Sequence, residues 1–259
     1  MLAATPLLAG RTVHAPNGMV CSVDHLASEA GVALLRAGGS AADAAIAASA
    51  VLAVTTQHMC GMGGDLFALV HHDQGAPVAL AAVGRAGSGA SAAELRAEGH
   101  RAVPPFGDVR AATVPGCVDG WLALHERFGR APLTEVLAPA EAYAHAGFPA
   151  SPLLARSAPL ITEIDGADDY RVEDRLRTGD RVRRPLVAAV LASVAGGDRA
   201  AFYGGPFGAG LVELGGGLFT QDDLATPLAD WVDPLHVTAW GHEVWTVPPP
   251  SQGLSLIHI

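Results

Sequence analysis

Asp24-His25-Leu26-Ala27-Ser28-Glu29-Ala30-Gly31-Val32-Ala33-Leu34-Leu35-Arg36-Ala37-Gly38-Gly39-Ser40-Ala41-Ala42-Asp43-Ala44-Ala45 opens a stretch that reads as two helices in tandem over residues 24–54. Leu26, Ala30, Val32, Ala33, Leu34 and Leu35 give the first an apolar face. Gly38-Gly39 ends it, because glycine takes the left-handed cap without a Cβ clash. Ser40 then caps the second helix, and Asp43 three residues on completes a capping-box pattern. The second helix is apolar almost all round, so it belongs inside the protein rather than on its surface.

Outward from this pair, Gly61-Met62-Gly63-Gly64 breaks the helix, and the glycines let it turn sharply into a buried strand over 66–71. A second strand over 78–83 makes a hairpin that turns at 73–77. Pro115-Gly116 opens a helix that runs to Phe128 and closes at Gly129. Pro139 is expected in the first turn of the next helix, where its missing N–H costs nothing, and Gly147 closes that one. Ser151-Pro152 starts a third helix. A fourth spans 184–195 and stops at Gly196-Gly197. Thr220 with Asp223 marks a further cap before Leu224. Strands over 234–240 and 243–247 join at Gly241-His242. No internal repeat is visible. Helices outnumber strands and the strands fall at both ends of the chain, which points to an α+β fold whose sheet pairs distant segments.

Composition narrows the function classes. Half of the 259 residues are hydrophobic and 16% are charged, enough to bury a sizeable core and too apolar for intrinsic disorder. All 16 basic residues are arginine, and the formal net charge is −10. That balance argues against a nucleic-acid groove, which needs clustered positive charge. The one basic cluster, Arg171, Arg175, Arg177, Arg181, Arg183 and Arg184, is interleaved with Asp165, Asp168, Asp169, Glu173, Asp174 and Asp180 and reads as a solvated mixed-charge segment. Mean hydropathy is +0.30. The most apolar run, 44–56, is nevertheless shorter than the ~20 residues that cross a bilayer, so no membrane span is expected. Residues 1–10 carry no basic n-region of a signal peptide. Cys21, Cys60 and Cys117 are odd in number and scattered, and read as buried thiols in a reducing compartment. The cytoplasm is the default location; a missing N-terminal signal would make it periplasmic or secreted.

Most candidate sites weaken on inspection. Gly61-Met62-Gly63-Gly64 lacks the GxGxxG spacing and follows a helix rather than a strand, so a dinucleotide site fails on context. Gly87-Ser88-Gly89 lacks the flanking glycines of a nucleophile elbow. His71-His72-Asp73 would point alternately to opposite faces of a strand, which makes a shared metal ion hard to build. Cys60 near His58 has no orienting third group. No cofactor and no metal is expected. Arg85 stands apart. It follows the apolar strand and sits in Gly84-Arg85-Ala86-Gly87-Ser88-Gly89, where glycines let a ligand come close. That setting suits bidentate capture of a carboxylate; the alternative is a structural salt bridge.

The ordered set of motifs resembles the γ-glutamyltransferase family of N-terminal-nucleophile (Ntn) hydrolases. It comprises the 24–45 stretch, Gly61-Met62-Gly63-Gly64-Asp65-Leu66-Phe67, Gly84-Arg85-Ala86 and Thr113-Val114-Pro115-Gly116-Cys117-Val118-Asp119-Gly120-Trp121. It continues through Leu137-Ala138-Pro139-Ala140, Gly147-Phe148-Pro149, Ala201-Phe202-Tyr203-Gly204-Gly205, Asp222-Asp223-Leu224-Ala225 and Pro249-Pro250-Ser251-Gln252-Gly253. The resemblance implies a four-layer αββα fold made as one precursor, a zymogen that cleaves itself autocatalytically into large and small subunits. Residues 18–253 correspond to a helix-rich, incomplete large-subunit part, after an N-terminal segment 1–17.

The catalytic nucleophile, an N-terminal Thr, then lies beyond this chain, so no catalytic residue is assigned here. Arg85 matches the family arginine that binds the α-carboxylate of a γ-glutamyl donor. The partners implied are a small γ-glutamyl or acyl-amide substrate and the small subunit of the same precursor, in the setting of glutathione metabolism. This chain alone is expected to be inactive. Ala86 stands where the glutathione-processing branch usually carries an acid, and Asp65 fits the broader transferase-like and acylase-like branches. Alternatives are a cephalosporin-acylase-like amidohydrolase, a non-catalytic ligand-binding fragment, and an Ntn enzyme starting at Cys21 on a strand-like 19–23 segment. Leu254-Ser255-Leu256-Ile257-His258-Ile259 departs from the family pattern and reads as a translated sequencing adapter, which the codons of the gene would decide.

Overall fold

A computed structural model describes residues 12–104, 107–161, 164, 167–170 and 175–252. In chain order the elements are α1 (His25–Arg36), α2 (Ala41–Thr55), β1 (Leu66–Val70), β2 (Val78–Ala82), α3 (Ala92–Ala97), α4 (Cys117–Phe128), α5 (Leu133–Ala146) and β3 (Phe148–Pro149). They continue with α6 (Pro152–Ser157), β4 (Arg181–Val182), α7 (Pro185–Ala195), α8 (Arg199–Tyr203), α9 (Pro206–Gly215), α10 (Gln221–Ala225), β5 (Ala229–Val232), β6 (Leu235–Ala239) and β7 (His242–Thr246).

The tandem helices form as their caps dictate. The Leu26 amide donates to Asp24 Oδ1 at 2.8 Å and starts α1. At α2 the capping box is complete: Asp43 N donates to Ser40 Oγ at 3.1 Å, and Ser40 N donates to Asp43 Oδ2 at 2.7 Å. Burial of α2 is close to total. Ile46, Ala47, Ala50, Val51 and Val54 are at most 1% exposed, and small alanines let α1, α4 and α5 pack closely on it. Trp121 on α4 is fully buried and its indole N–H donates to Ser49 Oγ at 3.0 Å, so the large ring enters the core without an orphaned donor.

Asp43 does more than cap. Its carboxylate, fully buried, also accepts the Arg130 and Ala131 amides at 3.0 Å each, which ties the α4–α5 turn to the start of α2. Burial alone would raise this carboxyl's pKa. The backbone amides of Ala131, Ser40 and Arg130 outweigh that and hold it below the ordinary value.

The main sheet is antiparallel, in the order β1-β2-β5. β1 pairs with β2 from Leu66↔Ala82 to Val70↔Val78 across the hairpin read from the sequence. β2 then pairs with β5, Ala79↔Val232 to Ala82↔Ala229, so distant segments do meet. The meeting strand is Ala229–Val232, which carries no clear strand pattern. The expected strands near 234–247 instead pair with each other as β6 and β7. Their turn is centred on Trp240 and Gly241, at φ 51° and 77°, one residue earlier than expected. α4 covers one face of the sheet. Phe67 and Leu69 on the other face are 38% and 41% exposed, so β1 is half-buried rather than buried.

Pro139 is another correction. It lies inside α5, well past the first turn, since the helix already begins at Leu133 after Pro132. A mid-helix proline removes one hydrogen bond. Burial of Val136, Leu137, Ala140 and Ala144, all fully buried, offsets that loss. α8, only five residues long, and α9, with three glycines in its ten residues, were not legible from periodicity. Residues 19–23 form no strand. No helix among the described residues is long and apolar enough to cross a membrane.

Candidate functional site

β2 ends at Ala82 and delivers the chain into the loop that carries Arg85. The loop lies against two other segments with no room to spare. A Cβ on Gly84 would fall 2.1 Å from the Val114 carbonyl oxygen, one on Gly87 2.1 Å from that of Leu218, and one on Gly89 2.1 Å from that of Gly217. Only glycine permits this approach. Hydrogen bonds fix it. Val114 N donates to Arg85 O at 2.9 Å, and Gly89 N donates to Leu218 O at 3.1 Å.

Two carboxylates complete the clamp. Gly84 N donates to Asp65 Oδ1 at 2.8 Å. Ser88 N and Ser88 Oγ donate to Asp223 Oδ2 at 3.0 and 2.8 Å. The same oxygen accepts Thr220 N and Thr220 Oγ at 2.8 and 2.9 Å. The Ser88 amide leads the set of donors that hold the Asp223 carboxyl down to a pKa of about 2. Arg85 itself is exposed. Its guanidinium makes no hydrogen bond or ion pair with a described residue. It is not a structural salt bridge among those residues, and none of them occupies its five donors.

α10, which carries Asp223, is anchored in turn. Arg199 donates to Asp119 Oδ1 at 2.8 Å and Oδ2 at 3.1 Å. It also donates to the carbonyls of Leu224 at 2.8 Å, Ala225 at 3.2 Å and Thr226 at 2.8 Å. Leu228 N donates to Asp119 Oδ2 at 2.9 Å, and the Arg199 guanidinium lies 3.9 Å from the centre of the Tyr203 ring. Asp119 is 4% exposed and Arg199 half-buried, so a buried carboxylate with its partners satisfied joins α4, α8, α10 and the residue just before β5.

The other sequence candidates do not gather here. Ser88 gives its hydroxyl to Asp223. The carbonyl of Gly64 accepts the Gly116 and Cys117 amides at 3.0 and 2.9 Å, which occupies the N-terminus of α4 where a phosphate would need it. His72 pairs with Asp73 at 2.8 Å on the exposed hairpin turn. Among the described residues no three His, Cys, Asp or Glu side chains are grouped to hold a metal. Cys60 and Cys21 are exposed rather than buried, and Cys117 is buried. Although Cys60 is exposed as a residue, partial desolvation of its sulfur by the surrounding protein raises the thiol, and burial lowers the His58 imidazole, the reverse of a thiolate–imidazolium pair.

A second concavity, of about 1000 Å³, lies between the end of α2, the Gly61–Gly64 turn, α7 and α9. Gln57 Nε2, both ring nitrogens of His58 and Arg184 Nε are buried there without partners among the described residues. Arg184 thus leaves the solvated cluster expected for it. It donates to Gln57 Oε1 at 2.9 Å, and burial lowers its pKa. Arg171, Glu173, Asp174 and Asp165 of that cluster lie outside the described residues, as do residues 254–259.

Sequence reasoning missed Asp65 and Asp223 as parts of the Arg85 site. Asp223 was visible as a helix cap and as part of a family motif, and nothing local in the sequence signals its bond to Ser88, 135 positions away.

The fold and the site together define an α+β scaffold that presents an exposed arginine, on a tightly held loop, just past the end of a sheet strand. The family model described as Gamma-glutamyltranspeptidase matches residues 27–259. The chain is 35% identical over 257 residues to the glutathione hydrolase-like YwrD proenzyme of Bacillus subtilis, covering 95% of this chain and 48% of that protein. It is 35% identical over 254 residues to the oxamate amidohydrolase proenzyme of Klebsiella pneumoniae, covering 92% of this chain and 47% of that protein. The crystal structure of cephalosporin acylase from Bacillus halodurans superposes with a TM-score of 0.87 at 34% identity, over 97% of this chain and 50% of that one. The chain belongs to the gamma-glutamyltranspeptidase family, and its α+β architecture is an incomplete Ntn-hydrolase sandwich. It spans about half the length of the curated relatives it matches.

Proposed function

We propose that the full-length protein transfers or hydrolyses an acyl group held in an amide, and that this chain supplies the clamp for the donor's carboxylate. The observation that carries the reading is Arg85, exposed and without an ion-pair partner among the described residues, on a loop fixed by backbone and carboxylate contacts. A planar guanidinium held this way can take a carboxylate through two parallel N–H···O bonds. Fixing one end of the donor places its amide carbonyl for attack.

The attacking group in this reading is an N-terminal Thr outside the present chain. Its own α-amine titrates near neutral pH and can accept the hydroxyl proton. The carbonyl then becomes an acyl-enzyme, the amine leaves, and water or an acceptor amine releases the acyl group. Ala86 and Asp65, together with similarity to proteins named for oxamate and cephalosporin, favour a donor other than glutathione and support an amidohydrolase as the second reading. Three unpaired cysteines, two of them exposed, support a reducing, cytoplasmic setting.

The chain by itself is expected to show no turnover of γ-glutamyl amides, whereas the full-length precursor is expected to split into two polypeptides and gain activity. Arg85→Ala in the matured enzyme is expected to raise KM about tenfold or more for donors with an α-carboxylate, the loss of a charge-assisted contact of about 1.5–3 kcal/mol. Turnover by this chain alone would refute the division of labour, and an unchanged KM would remove Arg85 from the site.

A further inference from the structure

Arg85 lies between two pinned points. Upstream, Asp65 accepts the Gly84 amide. Downstream, Asp223 accepts both the amide and the hydroxyl of Ser88. Only Arg85, Ala86 and Gly87 lie between Gly84 and Ser88, and the middle of that span is held by Val114 on the Arg85 carbonyl. Both acids spend hydrogen-bonding capacity on backbone or hydroxyl donors, and neither forms an ion pair with the arginine. The loop is therefore fixed by negative groups that leave the guanidinium without an ion-pair partner among the described residues.

Asp223 is the more informative of the two, because it belongs to another element. It sits in α10, whose end is held by Arg199 and, through it, by buried Asp119. A chain of direct contacts runs from the α4 core through Arg199 and α10 to Ser88.

We propose that Asp223 is a positioning residue for Arg85: it holds the 84–89 loop so that the guanidinium stands where the donor carboxylate arrives, and so sets selectivity for carboxylate-bearing donors. This rests on the reading of Arg85 as the carboxylate clamp. A residue that acts only as a helix cap would affect all donors alike. One that places Arg85 affects only donors with a carboxylate to place.

The test uses the full-length matured enzyme and two donors, γ-glutamyl-p-nitroanilide and 4-aminobutyryl-p-nitroanilide, which differ by the α-carboxylate. Arg85→Ala comes first. Loss of discrimination between the donors upholds the parent reading; unchanged discrimination overturns both it and the present inference. Given that loss, Asp223→Ala is expected to raise KM for the glutamyl donor about fivefold or more, with kcat and the 4-aminobutyryl KM within about twofold. Asp223→Asn, which keeps an acceptor oxygen for Ser88, is expected to recover part of the loss. Thr220→Ala, which weakens the α10 cap and leaves Ser88 bonded to Asp223, is expected to keep the wild-type ratio of KM values.

Should Asp223→Ala not fold, Ser88→Ala removes the hydroxyl bond alone and is expected to shift the same ratio by about twofold. Equal effects of Asp223→Ala on both donors, or no effect on either, overturn the inference while leaving Arg85 in place. In the Ser88→Ala arm an unchanged ratio does the same.

Discussion

The same short pattern, a hydroxyl residue followed three places on by Asp, stands at Ser40-Asp43 and at Thr220-Asp223, and both copies fold as capping boxes. They diverge in what the carboxylate does next. Asp43 is sealed in the core and takes the Arg130 and Ala131 amides, so it joins two parts of the scaffold. Asp223 lies at the surface and takes Ser88, so it joins the scaffold to the loop that presents Arg85. One motif serves stability in one place and the presentation of a functional group in the other. Burial sets the energetic scale, since an unmade hydrogen bond costs most where water cannot replace the lost partner.

Asp43→Ala gives the largest expected effect. It removes the buried acceptor of the part-buried Arg130 and Ala131 amides and of the Ser40 cap, and should cost about 3 kcal/mol, read as a fall in the urea midpoint of unfolding. A cost equal to that of Asp223→Ala would erase the contrast. Gly87→Ala comes next. Its new Cβ meets the Leu218 carbonyl at 2.1 Å, so the loop must lift, at about 2 kcal/mol, with faster amide exchange at 87–89 as the direct readout. Asp223→Ala should cost only about 1 kcal/mol of stability, as loss of an exposed cap does. Arg85→Ala should leave stability within about 0.5 kcal/mol, because its guanidinium contacts no described partner. A marked destabilisation there would make it a structural residue.

Acid separates the two carboxylates in the same way. The Asp223 carboxyl is held at about 2 in the folded protein, below the ordinary carboxylate range. Its contribution is therefore complete above about pH 4 and is lost as pH falls through its folded value. Amide exchange at Ser88 should stay slow from neutral pH to about pH 4, after correction for intrinsic rates, and then rise relative to Ala131. Asp43 is also lowered, so it too stabilises only in its ionised form. Its release should coincide with loss of the core rather than with local opening of a loop.

Much of this was legible in the sequence because it is local. Caps at Ser40, Ser151 and Thr220, the stop at Gly129, and the hairpin between 66 and 83 are each decided within a few residues by backbone sterics and side-chain hydrogen bonds. The nearly all-apolar α2 announced its burial by composition. Where a local rule met a tertiary demand, the rule lost. Pro139 sits mid-helix because the buried face of α5 outweighs one missing hydrogen bond. β5 forms at Ala229–Val232 because β2 offers it an edge, with little strand propensity of its own.

The sequence by itself determined the helical pair, the main hairpin, the family and the singular position of Arg85 after an apolar strand. Each is written in contiguous residues or in an ordered set of short motifs. The tertiary structure alone decided that Asp65 and Asp223 bracket Arg85, that Asp43 holds the α4–α5 turn, and that Arg184 turns inward to Gln57. Except for Asp65, 19 positions from Gly84, those contacts cross about 90 to 135 positions of chain. At such separations no local preference specifies a partner; it is chosen by which backbone amide or side-chain group the packed core brings within hydrogen-bonding reach.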